Sequence, residues 1–447
     1  MEVNYGIISL IPVLLVFVIA FRTKKTLESL LIGSVVGFII LEGTNFISAW
    51  LEALINVLKD DTVLWVILVT FFFGAMINLF EKSGAMHGFV NFAVKYTKSK
   101  KSALVTTWLL SLLIFIDDYL HNLVIGSSMK RITDRYQISR AKLAYINNST
   151  AGNLASLVPL STWGVFYAGL MGQQGLAIGG SDMQAYLRTI PFQFYPIVAM
   201  ILSLLVAMVI LPDLGEMKKC EELAAQGILS DVHLAEEESQ TDTAPAYYFF
   251  VPIAVLIIVT LLTGIDVLMG ILFALIAIFL LYVPTKRIKA GEFMEITLEG
   301  FGNMMPIAAI LAIAFTLMEA NTRLGLAPYI IDLVLPFMSG RILPVIVFLT
   351  CVVFAYFTGM FWDMAAVMFP IAIPLATSIG ADPYLVAATI FSASAWGSQI
   401  CMYGDAVVIN SGACDVSPAS NSISSLPYGI LGVAISALLY LVAGFIL

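Results

Sequence analysis

The chain has 447 residues, of which 60% are hydrophobic and only 12% charged, with a mean hydropathy of +0.96. A soluble domain carries about 25% charged residues, so an ordinary globular protein in water is excluded and the lipid bilayer is the main solvent. The net charge of −8 comes without a basic stripe, which removes nucleic acid as a partner, and Cys220, Cys351, Cys401 and Cys414 lack the spacing of a disulfide framework or a zinc site.

Apolar stretches long enough to cross a bilayer, about 17–25 residues each, run at 4–21, 27–43, 62–80, 141–171, 187–211, 246–263, 265–283, 300–318, 384–410 and 426–447. The first has no basic segment before it and no cleavage site after it, and Arg22, Lys24 and Lys25 follow, so it reads as a retained span. The connector at 42–61 sets Glu42, Glu52, Asp60 and Asp61 against Lys59, which suits the outside. Stretches 102–129 and 342–378 are interrupted by polar residues. Lys82, Lys95, Lys98, Lys100 and Lys101 precede the first of these, and Lys130, Arg131, Arg135, Arg140 and Lys142 follow it. The positive-inside rule puts both ends in the cytoplasm, which predicts a re-entrant hairpin, with two short full spans as the alternative.

The chain also echoes itself at an offset of roughly 240 residues. Pro12 falls opposite Pro252, "FIDDY" at 115–119 near "GMFWD" at 359–363, and "AYINNST" at 144–150 near "ATIFSAS" at 388–394. The expected fold is therefore an all-α membrane protein of two inverted-topology repeats, 1–212 and 246–447. Each would have about five transmembrane helices, a re-entrant hairpin and a broken helix. Between them, 213–245 is acidic and reads as a flexible cytoplasmic connector rather than a regulatory element. Inverted repeats point to alternating access around a midplane site on interrupted helices, hence to a secondary transporter.

Polar residues inside the apolar stretches mark the candidate site, because a charge at the bilayer centre costs upward of about 2.5 kcal/mol. The first hairpin carries Asp117, Asp118, Tyr119, His121 and Asn122. Adjacent carboxylates on a helix point about 100° apart, so at most one is expected to face a central cavity. Such an acid binds a cation when ionised and releases it on protonation, and His121 could relay a proton. The bland alternatives are a helix cap or an ion pair with Lys130 or Arg131 for the acids, and a packed histidine for His121. Asn147, Asn148, Ser149, Thr150, Gly152 and Asn153 predict an unwound midpoint whose oxygens coordinate a cation, and "STW" at 161–163 follows a second interruption at Pro159. The second half supplies Thr358, Gly359 and Asp363, then Ser392, Ser394, Gly397, Ser398, Gln399 and Asp405. No GxxxxGK[ST] motif occurs, which argues against ATP-driven transport, and no catalytic constellation is visible, so an enzyme is not expected.

These residues resemble a known family. "FIDDYLHNLVIGSSMKRITDRYQISRAKLAYINNSTAGNLASLVPLSTW" at 115–163 resembles the hallmark region of the NhaC-type sodium/proton antiporters of the ion transporter superfamily. "GDAVVINSGACDVSPASNSISSLPY" at 404–428 looks like a diverged form of that family's C-terminal signature. Asn148 stands where the family commonly has Asp, Asn153 where it commonly has Pro, and "AVVINSG" after Asp405 removes a His and an Asp. The resemblance implies a Na+/H+ antiporter in a prokaryotic cytoplasmic membrane, with a homodimer by family analogy and no cofactor beyond the transported ions. Asp117, Asp118, Asn148 and Thr150 would hold Na+. The rival is a Na+- or H+-coupled carrier of an amino acid or organic acid, which the missing acids leave room for.

Overall fold

The computed structural model describes residues 5–23, 26–85, 97–231, 244–264, 266–326, 329, 339–359, 361–402 and 404–447. Among them every regular element is helical, apart from one isolated bridge between Ile178 and Ser181. Five described helices are long and apolar enough to cross a membrane, and seven if each of two bent pairs counts as one span.

Helices α1 (Ile11–Thr23) and α2 (Thr26–Glu42) open the chain. The connector after them is helical rather than a plain loop: α3 (Phe46–Lys59) follows a single 3-10 turn and packs Ala53 against Phe38 and Ala320, while Trp50 Nε1 donates to Ser34 Oγ at 3.0 Å. Then come α4 (Asp61–Lys82), α5 (Lys100–Ser111) and α6 (Asp118–Arg135). The hairpin stretch is thus two helices around a non-helical segment at 112–117. Helices α7 (Arg140–Leu157) and α8 (Thr162–Gln173) form a span bent by 41°, and α9 (Asp182–Thr189) with α10 (Phe194–Ala207) belong to a second one bent by 53°.

The break in the first of these spans lies elsewhere than expected. Residues 147–153 are continuous helix, and the chain leaves α7 only at Val158 (φ −104°, ψ 119°). Proline explains the position, since Pro159 lacks an N–H and pushes the residue before it into extended geometry. The polar run stays helical because Asn147, Asn148 and Asn153 find partners on neighbouring helices, and the own-helix carbonyls that Thr150 and Asn153 also reach lie three or four residues back, where a helix accommodates them.

The acidic connector departs from expectation too: its described part contains α11 (Gly215–Ala224), docked rather than loose, with residues 232–243 outside those described. The second half then lays down α12 (Tyr247–Leu262), α13 (Val267–Tyr282), α14 (Ala290–Arg323), α15 (Leu343–Thr358) and α16 (Phe361–Ser378). After these come α17 (Pro383–Ile400), α18 (Asp405–Cys414) and α19 (Pro418–Ile446). Gly359 ends α15 with φ +69°, a left-handed turn that favours glycine. The polar run "SASAWGSQ" sits within α17, and the chain leaves the helix after it, at Cys401.

Element lengths recur along the chain. Helices α6 and α16 have 18 residues each and begin 243 positions apart (118 and 361); α7 and α17 also have 18 each and begin 243 apart (140 and 383). An interruption follows both α7 and α17.

Helix α4 packs along α14, and their backbones meet at Gly74 and Gly300, where a Cβ on either would sit 2.4 Å from the other's carbonyl oxygen. Small residues at such a crossing allow the van der Waals contact that holds helices together in lipid. Gly300→Leu should force α4 and α14 apart and destabilise the protein by about 1–3 kcal/mol, read as a lower thermal midpoint in detergent; an unchanged midpoint would show that the crossing is not tight.

Candidate functional site

The break at 112–117 delivers two carboxylates into the interior. Asp117 is the N-cap of α6: its Oδ1 accepts from the N–H groups of Tyr119 (3.0 Å) and Leu120 (3.1 Å), leaving Oδ2 to accept from Thr162 Oγ1 at 3.1 Å. Asp118, one residue on, accepts from Trp163 Nε1 at 2.9 Å and from Ser398 Oγ at 3.4 Å. They are 2% and 0% exposed, respectively. Both meet the first turn of α8, whose positive end suits negative charge. The cap expected as a bland alternative is real for Asp117, yet half its carboxylate still faces Thr162. Lys130, the basic residue suggested as a partner, is bound instead to Asp415 at 2.7 Å.

Asp405 belongs to the same group of acids. It begins α18 at the far side of a break, is exposed, and accepts from Tyr119 Oη at 2.6 Å. Its partner Tyr119 directly follows Asp118, which sets Asp405 next to the pair. Stretches 102–129 and 342–447 contain neither Lys nor Arg, and among the described residues no ion pair reaches Asp117, Asp118 or Asp405.

Around the acids the amides are mostly engaged. His121 bridges the broken segment and α7, with Nδ1 2.8 Å from Ile114 O and Nε2 3.1 Å from Thr150 Oγ1. Asn148 donates to Gln399 O at 2.8 Å and accepts at Oδ1 from Asn122 Nδ2 at 3.2 Å. Asn147 Nδ2 reaches both Asn122 O (2.9 Å) and Asn410 Oδ1 (2.8 Å). Gln399 lies where α7 and α17 cross: its Nε2 donates to Ser149 Oγ at 2.7 Å, while its Oε1 accepts from Asn153 Nδ2 and Tyr195 Oη, both at 2.9 Å. The side-chain oxygens of Asn122, Asn147 and Asn153 receive no donor, so they are the neutral acceptors still open to a cation.

Not every expected residue converges here. Ser392 bonds Tyr440 Oη at 2.6 Å, and Ser394 donates to Phe361 O at 3.1 Å, so both brace helices instead. Thr358 and Asp363 lie on α15 and α16, but their side chains are outside those described. Conversely, Thr162, Trp163, Ser398, Gln399, Tyr195 and Asn410 carry more of the site than sequence reasoning gave them. Trp163 stacks on Phe361 (centroids 5.4 Å apart, planes at 16°), tying the Asp118 contact to the start of α16. The "STW" after Pro159 was its only visible signal.

With that geometry in place, similarity to known proteins can be weighed. A family model described as the Na+/H+ antiporter family matches residues 154–445. The chain belongs to the Na+/H+ antiporter family. An uncharacterized protein of Haemophilus influenzae is 26% identical over 477 residues, covering 98% of this chain and 91% of that one. The YdaH transporter of Alcanivorax borkumensis, whose crystal structure was reported to reveal an unusual topology, superposes with a TM-score of 0.61 over 90% of this chain and 89% of its own. At 14% identity that likeness shows the fold alone. Family and fold are those of transporters, and the antiporter family's helical, multi-pass membrane character accords with the apolar helices described above.

Replacing Asp117 separates its two roles. Asp117→Asn keeps an N-cap oxygen and should fold like wild type, whereas Asp117→Ala should lose about 1 kcal/mol of stability. Equal thermal midpoints for the two variants would show that the cap contributes nothing.

Proposed function

We propose that this protein exchanges Na+ for H+ across a prokaryotic cytoplasmic membrane by alternating access. The observation that carries the reading is the charge imbalance at the centre: Asp117 and Asp118 are buried, Asp405 stands beside them, and no Lys or Arg lies in their stretches. Carboxylates in so dry a place must be neutralised by something that can come and go. A proton and a sodium ion compete for the same oxygens, and that competition is what couples their opposite movement. Asp117 and Asp118 would be the titratable ligands. Asn122 Oδ1 and Asn153 Oδ1 supply better neutral oxygens than Asn148, whose amide is already committed on both sides. His121 has both ring nitrogens in contact with Ile114 and Thr150, which supports a pin between the broken segment and α7 more than a free relay.

Alternating access draws support from the recurrence of α6 and α7 as α16 and α17, each followed by an interruption. A carrier of amino acids or organic acids would have to hold the solute's carboxylate on helix N-termini such as that of α8, where Asp117 and Asp118 already sit. Purified protein in vesicles loaded at acid pH should alkalinise the lumen when Na+ is added outside. Asp118→Asn should abolish the response without lowering the thermal midpoint. Vesicles that ignore Na+ and Li+ at every pH, yet take up a labelled amino acid or carboxylate with Na+, would replace antiport by solute symport.

A further inference from the structure

The polar segment between the halves does more than connect them. It leaves α10, forms α11 and returns along the lysine- and arginine-rich face, which the positive-inside rule assigns to the cytoplasm. On the first half, the carboxylate of Glu221 takes Lys100 at 2.7 Å, Lys142 at 3.3 Å and the N–H of Ser139 at 2.8 Å. Asp213 holds Lys142 at 2.7 Å, and Arg140 N donates to Leu229 O at 2.9 Å. On the second half, Tyr428 Oη binds Leu214 N (2.9 Å) and Pro212 O (3.1 Å), Ser230 Oγ donates to Asp415 O at 2.5 Å, and Asp231 accepts from the N–H of Ser417 at 3.0 Å and from its hydroxyl. Residues 212–231 thus grip both halves at one end.

What they grip there is the far end of the site. Helix α18 starts at Asp405, beside Tyr119, and is followed at once by Asp415, which Lys130 and Arg140 hold at 2.7 and 3.0 Å. Arg140 is itself fixed by a two-pronged bond to Asp134, 2.6 Å on each side. A shift of α18 against α6 and α7 large enough to open this face must pull Asp415 and Ser417 away from the segment. Beneath it a cavity of about 470 Å³, lined by Ala141, Cys220, Leu223, Ile228 and Ile423 among others, leaves room for the segment to lift without emptying a packed core.

We propose that residues 212–231 are a strap that closes the basic face of the transporter and must release it in every cycle, so that the strap regulates access to the carboxylate site. The proposal rests on the exchange reading above. Burial works against ionisation of Glu221, but Lys142, Lys100 and the Ser139 N–H outweigh it and hold its carboxyl below the usual range. The strap's ionic hold is therefore complete above the ordinary carboxyl range and weakens only as pH falls below it.

A covalent lock tests this in the full chain. Asp231→Cys with Ser417→Cys, in a Cys220→Ser background, is joined by oxidation or a short bis-thiol reagent after reconstitution. Exchange should stop in the joined protein and return when a disulfide is reduced. Continued Na+-driven alkalinisation with the link in place overturns the strap while leaving the antiport reading intact; wild-type vesicles with no response to Na+ overturn that reading instead. A second measurement uses the unaltered protein, in which Cys220 is half-buried while Cys351, Cys401 and Cys414 are buried. Labelling of Cys220 by a membrane-impermeant maleimide should run several-fold faster during turnover than at rest, and equal rates overturn the proposal.

Discussion

A helix broken inside a bilayer frees backbone groups that lipid cannot satisfy, and this constraint organises the interior of the protein. Each freed group costs several kcal/mol if left alone. At the first break, Ile114 O is met by His121 and Ile116 O by the N–H of Thr162. At the end of α7, Ser161 covers the carbonyls of Ala155 and Val158, and Tyr186 covers that of Ser156. At the end of α17, Asn148 takes the carbonyl of Gln399 and Ser422 Oγ takes that of Ile400 at 2.6 Å. His121 and Ser161 act locally, but Thr162, Tyr186, Asn148 and Ser422 come from other elements, so the breaks are fully satisfied only when the assembly is folded.

That division of labour changes what the polar residues mean. An asparagine that caps a broken helix has spent its amide and is a poor ion ligand, whereas one with an idle oxygen is a good one. The distinction separates Asn148 from Asn122 and Asn153, although all three look alike in sequence. Ser392 and Ser394 fall on the structural side for the same reason. The carboxylates cannot be explained this way, except for the half of Asp117 that caps α6. Asp118 instead meets side chains of two other helices, Trp163 and Ser398, so capping does not account for its burial.

Much of this was legible beforehand. Hydropathy marks a membrane protein, polar residues in stretch 102–129 mark its interruption, and the acidic pair there is the one the fold buries at 112–118. Polarity alone misplaces the break after α7, because the partners that let the run stay helical, Asn410 and Gln399, lie about 250 residues away in sequence. Pro159 was the better indicator, since its missing N–H does not depend on neighbours. The connector looked loose for a related reason: its acids are a solvated run in isolation, and only the fold sets Lys100 and Lys142 against Glu221.

The absence of basic residues after Arg341 also bears on how the protein is made. Orientation in a membrane is set during insertion by lysines and arginines flanking each span. Beyond Arg341 at the start of α15, helices α16 to α19 carry no such label between them, so their connections give the insertion machinery no charge to read. Their direction has to be inherited from the spans that precede them, and the second half of the site is therefore laid down correctly only if the first half is already anchored.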